Sequence, residues 1–292
     1  MNGICRLCNV ESDLQVSHFI PKFVGRWVKK TSITGYIREH NDVSKRAQDI
    51  AKEHWLCSKC EGMFSTWEKA FADQIFYPFV EGGNSIASYD SWMSKFCASL
   101  SWRTLTYIRS KNNRDDKDDQ YNLAVDLAEK HLSEFLLGVR DNLNQYEQHL
   151  YPLEKIESTT AGGMPTNINR YILRTMAMDI VGNARNIFIY TKLPSFLLLG
   201  IVRCDELSRM RSSRIALARS KISPRDYYWP TGLYEYIAGK ARESADAHDR
   251  MPERDHKKIE EFVKNNPDKV LSSKLFEAWQ SDYERFGDDV FR

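Results

Sequence analysis

Two pairs of cysteines constrain this chain more than any other feature of its sequence. Cys5 and Cys8 form one Cys-x-x-Cys pair, and Cys57 and Cys60 form a second. Each pair can wrap a tight turn that directs both sulfurs at one ion, and two such turns complete a tetrahedron with zinc–sulfur distances of about 2.3 Å. The spacing therefore predicts a closed four-thiolate site in which Zn²⁺ has a structural role. The alternative is that one pair is redox-active or packs in the core.

The rest of the sequence indicates that these cysteines are reduced. The first five residues lack the basic and apolar regions of a signal peptide, and no stretch of about 18 apolar residues predicts a membrane span. We therefore expect a cytoplasmic protein with no membrane partner, where clustered cysteines favour metal over disulfides. The remaining two, Cys97 and Cys204, stand alone in apolar surroundings and are expected to pack in the core.

Length and composition set limits on the class of protein. A chain of 292 residues can form one or two domains with a proper core. Its hydrophobic fraction of 42% and charged fraction of 28% are ordinary for a globular protein. The net charge of +2 is too small to indicate nucleic-acid binding by itself.

The sequence around the cysteines predicts two short strands and a helix. Residues 14–20 alternate loosely between apolar and polar side chains, and residues 54–56 form a similar run before the second cysteine pair. The helix is expected to begin at Cys60, because apolar residues then recur at steps of three and four. It should end near Pro78.

The remainder of the chain has a mainly helical pattern. A central helix is expected from Ser91, a long helix with one apolar seam over residues 132–150, and another helix over 168–186. The long seam would pack within the chain or form a coiled coil with a partner. Residues 186–191 and 196–202 predict the two strands of a β-hairpin joined by a tight turn.

These patterns predict an α+β chain with two parts. Residues 1–82 would form a small domain that depends on zinc because its own core is limited. Residues 83–292 would form a mainly α-helical domain with a β-hairpin. A partner protein or a second copy of the chain could bind through this helical domain.

The cysteine pairs, together with the residues between them, resemble HNH nucleases with a treble-clef or ββα-metal core. The resemblance is carried by Cys-x-x-Cys, by Ser-His-Phe-Ile-Pro at residues 17–21 and by Leu-Cys-x-x-Cys at residues 56–60. It covers about a quarter of the chain, from Cys5 to Phe76. It implies a metal-dependent endonuclease acting on DNA, in a setting such as bacterial defence or a mobile element.

The resemblance assigns roles by position, and the motif is diverged. His18 matches the general base that takes a proton from the attacking water. Ser17 and Glu61 stand where the family has ligands for a catalytic ion such as Mg²⁺ or Mn²⁺, and a hydroxyl is a poor substitute for a carboxylate there. Lys52 and Glu53 lie where the family has its middle Asn. His18 could instead pack and hydrogen-bond to backbone, and Glu61 could be a charge favoured by the helix dipole.

Basic residues accumulate between the two cysteine pairs. Nine basic and four acidic residues from Lys22 to Lys59 leave an excess of five positive charges. Contacts from such side chains to phosphates would position a DNA duplex and make binding depend on salt. The alternative is a solvated surface of mixed charge. The candidate DNA-binding residues are Lys22, Arg26, Lys29, Lys30, Lys45 and Arg46.

Two functions are therefore compatible with the sequence. The first is the HNH-type endonuclease, with His18 and Glu61 as catalytic residues. The second is a non-catalytic zinc-binding module for nucleic-acid or protein interaction. The missing Asn and the missing His of the family motif favour the second.

Overall fold

Helices and strands alternate along the chain in the computed structural model, which describes residues 1–38, 46–47, 50–83, 86–112, 118–159 and 162–291. The α-helices of these residues are Lys22–Lys30 (α1), Ser58–Phe71 (α2), Tyr77–Val80 (α3), Trp92–Lys111 (α4), Asp119–Leu136 (α5), Ile168–Arg174 (α6), Leu233–Asp249 (α7), Glu253–Asn265 (α8), Pro267–Leu271 (α9) and Lys274–Phe286 (α10). The strands are Asn2–Ile4 (β1), Glu11–His18 (β2), Ile37–Arg38 (β3), Arg46–Ala47 (β4), Lys52–Cys57 (β5), Ala87–Tyr89 (β6), Gln148–Pro152 (β7), Ala177–Gly182 (β8), Ile187–Leu193 (β9), Phe196–Arg203 (β10) and Ser220–Ile222 (β11). The fold is thus mixed in its content of helix and strand.

Contacts along the chain divide it into two units. The first unit consists of Met1–Pro21, Ala51–Pro152 and Met176–Tyr228. The second consists of Lys22–Ile50, Leu153–Thr175 and Trp229–Arg292. Each unit contains residues from both sides of residue 82, and the division into 1–82 and 83–292 stays a prediction. None of the described helices is long and apolar enough to cross a membrane.

A three-stranded antiparallel sheet in the order β1-β2-β5 carries both cysteine pairs. The strands predicted over 14–20 and 54–56 are confirmed as β2 and β5, which pair with Ser17 opposite Glu53 and His18 opposite Lys52. Helix α2 follows β5 directly and begins two residues before the predicted start. It continues through a π-helical segment, Ala72–Phe76, into α3.

A second antiparallel sheet, in the order β7-β10-β9-β8, contains the predicted hairpin as its central pair. The turn between β9 and β10 places Ser195 in the left-handed region, with φ of 59°. Helix α4 packs on this sheet and also contacts α2 and α5, as expected for a central helix. Two buried polar pairs join α4 to the sheet, from Ser101 to Gln148 at 2.6 Å and between Thr104 and Thr191 at 2.7 Å.

Two of the predicted helices are wrong in extent. Helix α5 ends at Leu136, and Gly138 follows with φ of 76°, a conformation that glycine adopts at little cost at a helix end. Residues 148–152 form β7 instead, so the helical seam predicted over 132–150 is present at its start, where Leu132 and Leu136 are buried in α5, and is lost beyond it. The helix predicted over 168–186 ends at Arg174, because Ala177–Gly182 pairs with β9 as a strand.

The second unit is held partly by charged groups that are buried. The carboxylate of Asp282 in α10 accepts hydrogen bonds from the amides of Asn169 and Arg170 at the start of α6. The guanidinium of Arg170 also donates to it, at 3.0 Å. In α6, Arg174 donates to the carbonyl of Val28 and lies 4.7 Å from the ring of Trp27, which joins this helix to α1.

Lys192 in β9 is a buried lysine, only 1% exposed, whose ammonium donates to the carbonyl of Leu193. Burial holds the pKa of Lys192 well below its ordinary value of 10.5. Because the folded-state pKa is the lower one, the unfolded state binds more protons between the two values, and stability rises with pH across that window. We expect Lys192→Met to remove this rise and to increase the free energy of unfolding at neutral pH by more than about 1 kcal/mol.

Urea denaturation of both proteins at several pH values up to about 10 would test this expectation. Lys69→Met is the matched control, because the side chain of Lys69 is 78% exposed and lies in the same unit. Parallel stability curves for the wild type and Lys192→Met would contradict the prediction.

Candidate metal centre and the adjoining His18 segment

The first cysteine pair lies in a tight turn between β1 and β2. The amide of Cys5 donates to the carbonyl of Val10 at 3.0 Å, and the amide of Asn9 donates to the carbonyl of Cys5 at 2.9 Å. Asn9 has φ of 58°, a left-handed conformation that asparagine tolerates better than most residues. The turn is therefore closed by its own backbone and brings the thiols of Cys5 and Cys8 to one side.

The second cysteine pair lies where β5 becomes α2. Cys57 is the N-cap residue in an extended conformation, and Cys60 lies in the first turn of the helix. The amide of Arg6 donates to the carbonyl of Trp55 at 3.1 Å, so the first turn is fastened to the strand that leads into the second pair. A helix N-terminus also favours negative charge, which suits thiolate ligands.

The four thiols meet at one point. All four sulfurs lie within 4.8 Å of one another, and those of Cys8 and Cys57 are 3.8 Å apart. A tetrahedral zinc site with bonds of about 2.3 Å has sulfur–sulfur edges of about 3.8 Å. The cysteines are free thiols, and three of the four are buried. The donor set and its spacing therefore fit a zinc ion, and the predicted clustering of Cys5, Cys8, Cys57 and Cys60 is confirmed.

The thiols differ in their ease of ionisation. Burial works to raise the pKa of Cys5, but the amides of Cys8, Cys57 and Leu7 donate to its sulfur and lower the pKa to about 7. Burial raises the pKa of Cys8 and of Cys60. Because zinc binds thiolates, a bound ion would displace protons from this cluster, and binding would weaken as pH falls.

Ser17 and Glu61 are brought together beside this cluster. Ser17 precedes the last residue of β2 and is 2% exposed, and its hydroxyl donates to Oε2 of Glu61 at 2.6 Å. Glu61 lies in the first turn of α2, directly after Cys60. These are the two positions that the sequence resemblance assigns to a catalytic ion.

His18 ends β2 and is half-buried. Its carbonyl accepts a hydrogen bond from Nη1 of Arg103 in α4, at 2.9 Å. The same nitrogen donates to Oε1 of Glu68 in α2, at 2.5 Å. The next residue, Phe19, is buried between the rings of Trp55 and Tyr107, with ring centroids 4.8 Å and 4.1 Å away.

Sequence reasoning missed Arg103, although a signal was present. Phe96, Leu100, Arg103 and Tyr107 recur at steps of four, three and four on one face of α4, and the first two are fully buried. A charged residue within an apolar stripe must be buried with a partner, since an unpaired charge is costly inside a protein. Only the fold identifies its partners as Glu68 and the backbone of His18.

The candidate DNA-binding residues lie outside the unit that carries the cysteine cluster. Four of them lie on α1 in the second unit. Lys22, Arg26 and Lys30 are exposed, and Lys29 is half-buried. The opposite face of α1 is buried through Phe23, Val24 and Trp27. Lys45 falls outside the described residues, as does the side chain of Arg46 at the start of β4.

Comparisons of this chain with known protein families, curated proteins and solved structures find no match. The chemical evidence for a site is therefore the geometry of this chain. That evidence consists of four clustered thiols, the Ser17–Glu61 pair and the fixed backbone of His18.

Proposed function

We propose that this protein is a metal-dependent endonuclease of HNH type that hydrolyses phosphodiester bonds in DNA. The observation that carries the proposal is the 2.6 Å contact between Ser17 and Glu61, residues distant in sequence that occupy both family positions for a catalytic ion. His18, at the position of the general base, directly follows Ser17 in the sequence. The order of a cysteine turn, a strand and a helix that opens at the last thiols also supports a treble-clef or ββα-metal core.

In this proposal the two metal positions have different roles. Cys5, Cys8, Cys57 and Cys60 hold Zn²⁺ and stabilise the fold. Glu61 supplies a carboxylate oxygen to Mg²⁺ or Mn²⁺, ions that commonly use only one or two protein carboxylates together with water and phosphate. A divalent ion in such a position stabilises the negative charge that develops on the scissile phosphate.

His18 acts on the water in the proposed reaction. Its imidazole accepts a proton as the water oxygen forms a bond to phosphorus and the bond to the leaving oxygen breaks. Ser17 orients the Glu61 carboxylate through its hydrogen bond, which leaves the second carboxylate oxygen for the ion.

Plasmid cleavage across a series of divalent metals tests the proposal directly. We expect wild-type protein to cleave DNA with Mg²⁺ or Mn²⁺ and His18→Ala to lose at least about 100-fold in rate, as expected for a general base. His256→Ala in α8 is a control for the loss of an imidazole elsewhere. Equal cleavage by wild type and His18→Ala would overturn the role of His18.

A second function is supported by the burial of Ser17 and by the internal partners of Glu61 and Glu68. Ser17 is nearly inaccessible and its hydroxyl is already bonded to Glu61, while Glu68 is bonded to Arg103. Carboxylates satisfied within the protein suit a non-catalytic zinc module that binds nucleic acid or another protein. DNA binding without cleavage by any divalent metal would favour this module over the endonuclease. A role in bacterial defence or a mobile element fits the endonuclease alone.

The basic residues of α1 should matter if DNA is the ligand. We expect Lys29→Glu combined with Lys30→Glu to weaken duplex binding and to reduce its salt dependence by about two units of slope. Fluorescence anisotropy between about 50 mM and 200 mM salt would measure both effects. The control is the same double change to glutamate at Lys257 and Lys258, two consecutive lysines of α8. Their ammonium groups lie 2.8 Å from Glu253 and 3.7 Å from Asp255, respectively. A double variant that binds as wild type does would exclude DNA as the ligand of α1.

A further inference from the structure

The backbone around His18 is fixed from several directions. The carbonyl of His18 accepts from Arg103, and the amide of Phe19 donates to the carbonyl of Ala51 at 3.2 Å. The ring of Phe19 packs against Tyr107. Arg103 and Tyr107 are one turn apart on α4, so a single helix face supplies both a polar and an aromatic contact to this segment.

The charged guanidinium of Arg103 is buried, which costs desolvation free energy. Arg103 is 3% exposed, its Nε lies 3.4 Å from the carbonyl of Ser99, and its Nη2 has no hydrogen-bond partner among the described residues. The carboxylate of Glu68 balances the charge, and the ring of Phe64 lies 5.2 Å away. Because desolvation offsets much of the attraction within a buried ion pair, such a pair is weak evidence of a stabilising role.

We infer that Arg103 is a positioning residue that holds the backbone of His18 through its bond to the carbonyl, with Glu68 orienting the guanidinium. The inference rests on the proposed function for its catalytic consequence. A general base must lie within hydrogen-bond reach of the water it deprotonates. A displacement of about 1 Å can cost about 100-fold in rate, so a fixed carbonyl next to the imidazole has a direct effect on turnover.

Arg103 touches neither the reacting atoms nor the zinc ligands in this assignment. Its removal should therefore lower kcat while leaving KM and zinc content close to those of the wild type. A lysine ammonium also has several N–H donors, but it lacks the planar guanidinium that fixes the direction of Nη1, the nitrogen that donates to both the carbonyl of His18 and Glu68. Arg103→Lys should fall between the wild type and Arg103→Met.

Arg109 provides a matched control on the same helix. Its guanidinium forms ion pairs with Asp126 and Glu129, so its charged partners among the described residues lie in α5 rather than in β2. Arg109→Met thus removes an arginine with two carboxylate partners from α4 without touching the His18 segment. Any general effect of losing such a helix-to-helix ion pair should appear in both variants.

The experiment combines cleavage kinetics with hydrogen exchange on zinc-loaded protein. We expect Arg103→Met to lower kcat by about 10- to 100-fold with KM within about threefold of wild type, and Arg103→Lys to recover part of the loss. Exchange of the peptide that contains residues 17–19 should accelerate in Arg103→Met but not in Arg109→Met. Should Arg103→Met fail to fold, the same two readouts on Arg103→Lys decide.

The outcomes distinguish the positioning role of Arg103 from the endonuclease proposal. Active wild type together with unchanged kcat and unchanged exchange in the Arg103 variants would overturn the positioning role while the endonuclease proposal stands. Equal losses in Arg103→Met and Arg109→Met would also overturn it. An inactive wild type would overturn the endonuclease proposal, and the exchange of residues 17–19 alone would then decide whether Arg103 holds this segment.

Discussion

Replacing Cys57 and Cys60 together by serine is expected to abolish zinc binding and to unfold the sheet β1-β2-β5 with the start of α2. The four sulfurs lie within 4.8 Å of one another, so loss of two leaves no tetrahedral thiolate set. Structural zinc sites contribute about 10 kcal/mol or more of apparent binding energy, which is coupled to folding. The sheet is short and shares a core with α4 and α5, so the ion and that core hold this region jointly and the loss of the ion removes one of the two.

Element analysis and circular dichroism would check this expectation. Wild-type protein should contain about one equivalent of zinc, and the double variant less than about half. Cys97→Ala is the control, because Cys97 is also a buried cysteine but belongs to the middle of α4 rather than to the cluster. A double variant with wild-type spectra and an unchanged unfolding curve would show that the cluster is not a structural zinc site.

Zinc binding should also release protons. The pKa of Cys8 and that of Cys60 are raised by burial, so both thiols are protonated at neutral pH before an ion binds. Cys5, with a pKa of about 7, is partly ionised already. Zinc affinity should therefore fall as pH decreases. Titration calorimetry in buffers of different ionisation enthalpy would report this release, which cysteines paired as disulfides could not produce.

The cysteine cluster was predictable because the residues that can bind the ion occur in short local motifs. A Cys-x-x-Cys pair specifies a turn and two ligands without reference to the rest of the fold, and two pairs need one common ion. The neighbouring strands were predictable for a similar reason. Their alternation is short-range, and β5 leads straight into Cys57. The tertiary structure is needed only to bring the two cysteine pairs together across the residues that separate them.

The strand β7 was not predictable by the same reasoning. All five of its residues are buried, so the apolar/polar alternation of a half-exposed strand is lost. Leu143, Tyr146 and Leu150 keep a helical spacing by coincidence, although the first two precede the strand. The local signal that opposes a helix is Gly138, but the apolar spacing on both sides of it favours one.

The contacts of His18 show a further limit of sequence reasoning. The position of His18 on β2 follows from its neighbours, but its carbonyl is bound by Arg103, 85 residues away. Glu68 illustrates the same point, since helix geometry places it two turns beyond Glu61, but its bond to Arg103 of α4 cannot be read from that spacing. Long-range polar partners depend on how the helices pack, which no local pattern records.

Substitutions of Glu61 are expected to separate a metal ligand from a helix-terminal charge. As a ligand of Mg²⁺, Glu61 must supply an ionised carboxylate oxygen. Glu61→Gln keeps the shape and can still accept from the Ser17 hydroxyl, but it removes the charge that a hard cation requires. Cleavage should then fall by at least about 100-fold, while zinc content stays unchanged because four thiolates already complete that site.

Glu61→His tests the same metal-binding role by supplying a different ligand rather than by removing one. It introduces the residue that HNH nucleases, which this segment resembles, have at the corresponding position, and imidazole binds nickel or zinc ions better than magnesium. We expect partial activity that shifts toward these softer ions. A metal series measured on wild type, Glu61→Gln and Glu61→His would reveal the shift as a change in the order of rates rather than a uniform loss.

The alternative role gives a different pattern for the same variants. If Glu61 only complements the positive end of the α2 dipole, either change should cost about 1 kcal/mol of stability or less and leave cleavage intact. Glu129 offers a control carboxylate, since it is paired with Arg109 and lies in α5, outside the motif. Full activity of Glu61→Gln would exclude Glu61 as a metal ligand, yet the proposed role of His18 and the zinc cluster would be unaffected, because neither depends on that carboxylate.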